Sequence, residues 1–309
     1  MALEDYANLK FEKNEQMTAF KGSITALITP FKNGAVDERA FADLVERQIA
    51  AGTHGLVPVG TTGESATLTD EEHEQVVRLC VKVAAGRVPV IGGAGSNETA
   101  YAISMAERLQ KTGVDAILSV TGYYNRPSQA GLVAHYTALH DATDIPIILY
   151  NVPARTVVGL SRETMSTLSR LDRIVGIKDA TGDLARVALQ RVECGKKFTQ
   201  LSGEDMTAVG FNAMGGVGCI SVTSNVAPEL CAHMQEACLN DDYVTARELQ
   251  DRLAPLHDAL FSDSSPGPVK YAMSLMGLCT DELRLPLVTP SDGSKAKVKA
   301  ALSELGLIG

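Results

Sequence analysis

Residues 145–181 read IPIILYNVPARTVVGLSRETMSTLSRLDRIVGIKDAT and contain the repeating unit that predicts the fold. Residues 145–150 and 174–178 are short apolar runs rich in isoleucine, which is typical of buried strands. A longer amphipathic segment separates them, and Ser161 is a suitable N-cap for a helix that begins there. A strand, a helix and a second strand in this order predict a β–α–β unit with parallel strands.

The same alternation extends in both directions from this unit. It gives eight apolar runs, at residues 23–28, 55–59, 88–92, 116–120, 145–150, 174–178, 198–202 and 218–222. Helices are predicted between them, for example at 37–51, 69–85, 97–111 and 128–142, with Asp37, Thr69 and Ser128 as N-caps. Eight units of about 28 residues fit a closed barrel better than an open doubly wound sheet. We therefore predict an α/β fold with a (β/α)8 TIM barrel over residues 17–240.

Both ends of the chain differ from the barrel repeat. After residue 240 the apolar runs stop, and residues 241–260, 268–276 and 294–305 have helical patterns. This predicts a C-terminal helical domain at 241–309, a three-helix appendage to the barrel. Residues 1–16 are charged and rich in asparagine, and they precede the methionine at which the apolar pattern begins. We expect them to be a flexible N-terminal extension, or to precede an alternative start at Met17.

The composition restricts the class of protein and its partners. The 309 residues are 45% hydrophobic and 21% charged, enough for a large core. A net charge of −9, with no basic run longer than Lys196 and Lys197, argues against nucleic acid and anionic membranes as partners. No apolar stretch is long enough to span a membrane, which favours the cytoplasm. Neither the six cysteines nor the six histidines have metal-binding spacing, so we expect no metal and no other cofactor.

Lys178 is the most informative polar residue. It ends an apolar run, and the active sites of such barrels lie where the strands end. Burial disfavours the charged form of an amine, and a neutral lysine is a nucleophile toward carbonyl groups. A lysine at the end of a strand is usually a solvated charge, so its neighbours decide between the two interpretations.

Three neighbours favour catalysis, although each has a simpler alternative. The sequence G-T-T-G-E at 60–64 follows a strand and precedes a helix, where it would form either a carboxylate-binding nest or an ordinary capped turn. Tyr150 would transfer protons, or be a buried tyrosine with a satisfied hydroxyl. Arg155 follows Pro153 and would bind a second carboxylate, or be a surface arginine. Together with Lys178 these residues indicate Schiff-base chemistry on a substrate that carries carboxylates.

Several motifs resemble those of the dihydrodipicolinate synthase family. They include G-T-T-G-E at 60–64, Y-Y-N-R-P at 123–127, Y-N-V-P-x-R at 150–155, G-I-K-D-A-T at 176–181 and I-S-V-T-S-N at 220–225. The resemblance covers nearly everything after Met17, including P-G-P-V-K at 266–270 and L-R-L-P-L at 283–287.

The resemblance implies a synthase that condenses pyruvate with L-aspartate-4-semialdehyde in the diaminopimelate route to lysine. Lys178 would form an imine with pyruvate, whose carboxylate would lie on Thr61 and Thr62, and Gly203 and Ile220 would also contact substrate.

The remaining site residues follow from the same resemblance. Tyr150, Thr62 and Tyr124 would relay protons, and Arg155 would bind the carboxylate of the semialdehyde. Members of the family assemble as a homotetramer, a dimer of dimers, in which Tyr124 would reach the site of the neighbouring subunit.

The resemblance also implies a candidate site for feedback inhibition by lysine. Ser65, His73, Asn97 and Tyr123 match positions that hold lysine in the regulated enzymes. Asp70 stands where those enzymes have a histidine, and Tyr101 where they have a glutamate that contacts the effector. Loss of that carboxylate predicts weak or absent inhibition by lysine.

Three other functions are compatible with parts of the sequence. N-acetylneuraminate lyase and 2-keto-3-deoxy-sugar aldolases share the barrel and the lysine but tend to lack the match to Arg155. A nicotinamide-dependent oxidoreductase would use the glycines at 92, 93 and 95, but the third glycine of G-x-G-x-x-G is missing. A binding barrel without catalysis is disfavoured because Lys178, Tyr150, Thr62 and Tyr124 are all present.

Overall fold

The computed structural model describes residues 20–309 and confirms the predicted barrel. Its strands in chain order are β1 Gly22–Ala26, β2 Phe31–Lys32, β3 Ala35–Val36, β4 Gly55–Val57, β5 Ile91–Gly93, β6 Ala116–Val120, β7 Ile147–Asn151, β8 Ile174–Asp179, β9 Thr199–Ser202 and β10 Gly218–Ser221. All except β2 and β3 belong to one eight-stranded sheet with parallel pairing, in the order β4-β1-β10-β9-β8-β7-β6-β5. A parallel bridge between Leu56 and Val90 joins the two ends of this sheet and closes the barrel.

Helices follow the barrel strands and continue beyond the last one. They are α1 Glu38–Ala50, α2 Asp70–Ala84, α3 Thr99–Gln110, α4 Gln129–Asp141, α5 Pro153–Thr156, α6 Arg162–Leu168, α7 Ala185–Glu193, α8 Ala208–Ala213, α9 Pro228–Leu239, α10 Tyr243–Leu260, α11 Gly267–Leu275 and α12 Asp292–Glu304. The predicted N-caps Asp37, Thr69, Ser128 and Ser161 are confirmed, because each side chain accepts a hydrogen bond from a backbone N–H in the first turn.

Several predicted boundaries are wrong by two or three residues, for local reasons. The strand predicted at 55–59 ends at Val57, because Pro58 has no N–H and Val59 has a φ of 49°. The helix predicted at 97–111 begins at Thr99, since the Glu98 side chain caps it. The helix predicted at 241–260 begins at Tyr243, after Asp241 with a φ of 59°. The sequence pattern also missed the antiparallel hairpin of β2 and β3.

The buried apolar side chains form three clusters. Ile24, Val57, Ile148, Leu201 and Ile220 belong to a buried cluster contributed by the barrel strands. A larger cluster packs the strands against α1 to α4 and α6. A third cluster combines residues of α1 and α9 with residues of α10, α11 and α12. The C-terminal helices therefore share buried apolar contacts with the barrel helices.

Two parts of the predicted domain division stay predictions. The boundary near residue 240 separates the barrel from the C-terminal helices in sequence, although the third cluster packs across it. The proposed flexible extension at 1–16 lies outside the described residues.

Candidate active site

Lys178 lies near the C-terminal end of β8, between two strands that place other residues beside it. Its backbone is in register with Tyr150 of β7 and Leu201 of β9. The side chain is only 7% exposed, and that of Tyr150 is 8% exposed. The Lys178 Nζ atom lies 4.4 Å from the centroid of the Tyr150 ring. The two residues are therefore buried neighbours at the C-terminal ends of adjacent strands.

The absence of a side chain at Gly203 leaves room for the side chain of Lys178. A Cβ atom at this position would lie 3.0 Å from Lys178 Cε and 2.8 Å from the Cβ of Ala180. The Gly203 N–H also donates to the Asp179 carbonyl over 2.7 Å, which ties the loop after β9 to the end of β8. Ile220 lies on β10 and is buried in the apolar cluster of the barrel strands.

The loop at 60–64 forms a capped turn and also leaves donors unpaired. The N–H of Gly63 donates to the Gly60 carbonyl, and Thr29 Oγ1 donates to the Gly63 carbonyl over 2.7 Å. The backbone N–H groups of Thr61 and Thr62 make no hydrogen bond to another described residue. Thr61 is exposed and Thr62 is buried. Two adjacent N–H groups with two hydroxyls suit the oxygens of a carboxylate.

A cavity of about 520 Å³ opens in front of Tyr150. Thr61, Tyr150 and Arg155 line it together, so the structure brings these three predicted site residues to one space. Arg155 lies in α5, a short turn that begins with Pro153, and it is exposed. Lys178, Thr62, Gly203 and Ile220 are not among the lining residues, and Lys178 is in contact with the Tyr150 ring that does line the cavity.

Tyr124 does not reach this cavity. The residue is 91% exposed and is not among those that line the cavity, and its backbone has a φ of 67°. The adjacent Tyr123 lines the cavity, together with Ser65 and His73 of the candidate lysine site. Asn97, the fourth residue of that candidate site, is not a lining residue, and its carbonyl accepts a hydrogen bond from Asn125 Nδ2 over 2.8 Å.

Two charged arrangements, the contact of Arg108 with Asp70 and the burial of Glu204 near Lys178, were not predicted from the sequence. Arg108 of α3 lies 2.8 Å from Asp70 at the start of α2, and the Tyr101 hydroxyl donates to the same carboxylate. These bonds, that of Arg108 first, lower the pKa of Asp70. Glu204 follows Gly203, and burial raises the pKa of its carboxyl although the charge of Lys178 opposes this. The position of Glu204 just after a strand end was the signal that could have identified it.

Other kinds of site find little support in residues 20–309. This part of the chain contains no group of three or more His, Cys, Asp and Glu residues arranged to hold a metal ion. None of its helices is long and apolar enough to cross a membrane. A Cβ atom on Gly93 would lie 2.4 Å from the Val59 carbonyl oxygen, so close backbone packing explains the glycine that suggested a dinucleotide site.

Comparison with known proteins places the chain in a family. The model of the Dihydrodipicolinate synthetase family matches residues 19–305. The chain belongs to the dihydrodipicolinate synthetase family. A 4-hydroxy-tetrahydrodipicolinate synthase of Parvibaculum lavamentivorans is 64% identical over 289 residues, which cover 94% of this chain and 99% of that protein.

Solved structures of the dihydrodipicolinate synthetase family agree with the fold. Dihydrodipicolinate synthase from Aquifex aeolicus is 42% identical with a TM-score of 0.92, covering 93% of this chain and 99% of that one. The chloride-inhibited enzyme from Acinetobacter baumannii, complexed with pyruvate, is 42% identical with a TM-score of 0.91 and the same coverage.

Proposed function

We propose that this protein is a 4-hydroxy-tetrahydrodipicolinate synthase, a lyase that condenses pyruvate with L-aspartate-4-semialdehyde. The observation that carries the proposal is the position of Lys178, which is buried against Tyr150 where Tyr150, Thr61 and Arg155 line one cavity. The identity of 64% to a synthase over nearly the full length supports the same reaction.

The first half of the reaction would take place on pyruvate. The Lys178 amine attacks C2, and the carbinolamine loses water to give an imine on Nζ. The unpaired N–H groups and hydroxyls of Thr61 and Thr62 hold the pyruvate carboxylate. Tyr150 exchanges protons with the departing hydroxyl oxygen, and loss of a proton from C3 converts the imine into a nucleophilic enamine. The pyruvate bound in the Acinetobacter baumannii relative agrees with this substrate.

The second half would join the two substrates. C3 of the enamine attacks the aldehyde carbon, and the new alkoxide takes up a proton from the relay of Tyr150, Thr62 and Tyr124. The exposed guanidinium of Arg155 binds the semialdehyde carboxylate. The substrate amine then attacks the imine carbon and displaces Lys178, which releases the cyclic product. One molecule of water leaves in the overall reaction.

We further propose that the active form is a homotetramer, a dimer of dimers, in the cytoplasm. The 91% exposure of Tyr124 supports assembly, since a relay residue facing solvent needs a second subunit to bring it to a site. All six cysteines are free, in keeping with a reducing compartment.

The test follows the products by NMR after the protein is mixed with pyruvate and L-aspartate-4-semialdehyde. Wild-type protein is expected to form the cyclic product, and borohydride is expected to trap pyruvate on Lys178. Lys178→Ala is expected to lose both, whereas Lys197→Ala, which removes an exposed lysine near the barrel, retains both.

Two results would contradict the proposal in different ways. In the first, the pyruvate protons exchange with solvent only when Lys178 is present, but no cyclic product forms. This result would support the Schiff base with pyruvate and exclude L-aspartate-4-semialdehyde as the second substrate. Sugar aldehydes would then be tested, as for N-acetylneuraminate lyase or a 2-keto-3-deoxy-sugar aldolase. Failure to trap any adduct would exclude the Schiff base itself.

A further inference from the structure

The loop that carries Thr61 and Thr62 ends at a buried ion pair. Glu64 follows them in the loop, and its carboxylate accepts a hydrogen bond from the Lys270 ammonium of α11. The two side chains are each 0% exposed. They lie 206 positions apart in the sequence, so the pair joins the mouth of the barrel to the C-terminal helices.

Two further hydrogen bonds from the C-terminal segment and one aromatic ring of β2 surround the pair. The Lys270 ammonium donates a second hydrogen bond to the Glu282 carbonyl over 2.8 Å. The backbone N–H of Arg284 donates to the other carboxylate oxygen of Glu64 over 3.1 Å. Lys270 Nζ also lies 4.1 Å from the centroid of the Phe31 ring. Both oxygens of Glu64 are therefore held, and the ammonium has a carboxylate, a carbonyl and an aromatic face as partners.

The backbone of the loop depends on this anchor. Glu64 has a φ of 55°, a left-handed conformation that a residue other than glycine adopts only when its contacts hold it there. Arg284 Nη1 donates to the Thr67 carbonyl over 2.9 Å, so the same segment fixes the chain on the far side of Glu64. Within residues 20–309 the N–H groups of Thr61 and Thr62 have no hydrogen-bond acceptor, so the backbone of the loop determines where they point.

We infer that Glu64 and Lys270 are positioning residues that fix Thr61 and Thr62 for the carboxylate of the first substrate. This inference rests on the proposed function, because it takes that substrate to be pyruvate. The pair does not touch the reacting atoms and acts only through the loop. Its effect should therefore appear in the binding of pyruvate and not in that of the semialdehyde, which Arg155 binds from α5.

The test compares Lys270→Met, Glu64→Gln and the double variant Glu64→Gln/Lys270→Met. Each single variant leaves one buried charge without its counter-charge, and a loop shifted by about 1 Å can weaken a reaction roughly a hundredfold. We expect KM for pyruvate to rise about ten- to a hundredfold, with KM for the semialdehyde unchanged. The double variant removes both charges and is expected to recover part of the affinity for pyruvate.

Leu253→Ala separates positioning from general loss of stability. Leu253 is fully buried in the cluster of the C-terminal helices and does not contact the loop, so this variant should lower Tm without changing either KM. If Lys270→Met does not fold, Glu64→Gln, which keeps the shape of the side chain, carries the test alone.

Adduct formation with pyruvate provides a second readout. The pyruvate concentration that half-saturates borohydride trapping on Lys178 should rise in the single variants as KM does. The inference is wrong if Glu64→Gln has the same half-saturating concentration and the same KM for pyruvate as wild type. It is also wrong if KM for pyruvate and KM for the semialdehyde rise equally. Failure of the proposed function would instead appear in the wild-type chain, which would form no adduct or no cyclic product.

Discussion

His73 is a buried histidine on the wall of the cavity, and its surroundings keep it neutral. Burial, followed by the charge of Arg108, lowers its pKa from 6.5 to about 4. Its Nε2 atom has no hydrogen-bond partner among the described residues, so a proton there would be unsolvated. A neutral imidazole at this position adds no positive charge to the cavity.

The pKa of His73 predicts that the protein loses stability in mild acid. Between pH 6.5 and about 4 the unfolded chain binds a proton at this residue and the folded chain does not. The free energy of unfolding therefore falls as the pH falls, by about 2 kcal/mol between pH 7.5 and pH 5 from this group. Urea unfolding at the two pH values measures the difference, and His73→Gln should lose less stability than wild type.

A second histidine provides the control for that comparison. His233→Gln removes an exposed imidazole of α9 and should leave the pH dependence of wild type unchanged. Equal losses of stability in wild type and His73→Gln would mean that His73 takes up its proton in the folded state.

Individual site residues differed in how well the sequence could predict them. The placement of Lys178 beside Tyr150 was predictable, because parallel strands of a closed barrel end at one rim and both residues stand at strand ends. The ion pair between Glu64 and Lys270 was not predictable, although both residues lie in recognisable motifs. Neither periodicity nor spacing specifies which charged residues will meet when they are 206 positions apart.

At the scale of secondary-structure elements, α2 and α3 meet at a charged cluster beside the cavity. Asp70 of α2 accepts a hydrogen bond from the Tyr101 hydroxyl of α3 and lies 2.8 Å from Arg108 of the same helix. Arg108 therefore neutralises the carboxylate at position 70, and a tyrosine occupies the position where lysine-regulated relatives are expected to have a glutamate. An effector with two ammonium groups would find no unpaired carboxylate at either position.

This arrangement predicts weak or absent inhibition by lysine. We expect Tyr101→Glu to increase the sensitivity, because it adds a carboxylate next to the cavity that Ser65, His73 and Tyr123 line. Tyr101→Gln, which has a similar size without the charge, should stay insensitive. Initial rates across a lysine titration measure the effect, and isothermal titration calorimetry measures binding directly. Inhibition of the wild-type protein by sub-millimolar lysine would contradict the prediction.

Boundaries of elements were less predictable than their existence. The eight barrel strands and the caps of α1, α2, α4 and α6 follow from local sequence signals, and the structure contains them. The early end of β4 depends on Val59, a β-branched residue with a φ of 49°. Tertiary packing at the barrel mouth imposes that conformation, which local propensity disfavours.

At the scale of the whole molecule, the barrel and the C-terminal helices form a continuous packed structure. Ile28 and Leu44 of the barrel share a buried cluster with Leu253 and Leu302 of the C-terminal helices. The pair of Glu64 and Lys270 adds a buried polar contact between the same two parts. The sequence pattern distinguished them by the loss of strands after residue 240, but it could not indicate that the C-terminal part is hydrogen-bonded to the loop at 60–64.

Assembly is the property of the whole molecule on which the proposed proton relay depends. If Tyr124 acts in the site of a neighbouring subunit, a dimer of one Lys178→Ala chain and one Tyr124→Phe chain has both lesions in the same site, and its other site is intact. Each variant alone should lose activity by roughly tenfold or more, since each removes a group that forms the adduct or transfers a proton. Co-expression in equal amounts should restore about a quarter of the wild-type activity, because half of the dimers are mixed and each has one intact site.

The mixed sample distinguishes action between subunits from action within one subunit. If Tyr124 served its own chain, every subunit of a mixed dimer would lack either Lys178 or the Tyr124 hydroxyl, and co-expression would restore nothing. Sedimentation velocity on the same samples measures whether the variants still assemble. Recovered activity in an assembled sample would show that Tyr124, which is 91% exposed, acts in the site of the neighbouring subunit. Only that arrangement gives a mixed dimer one site with both Lys178 and the Tyr124 hydroxyl. Full turnover by Tyr124→Phe alone would remove this residue from the relay.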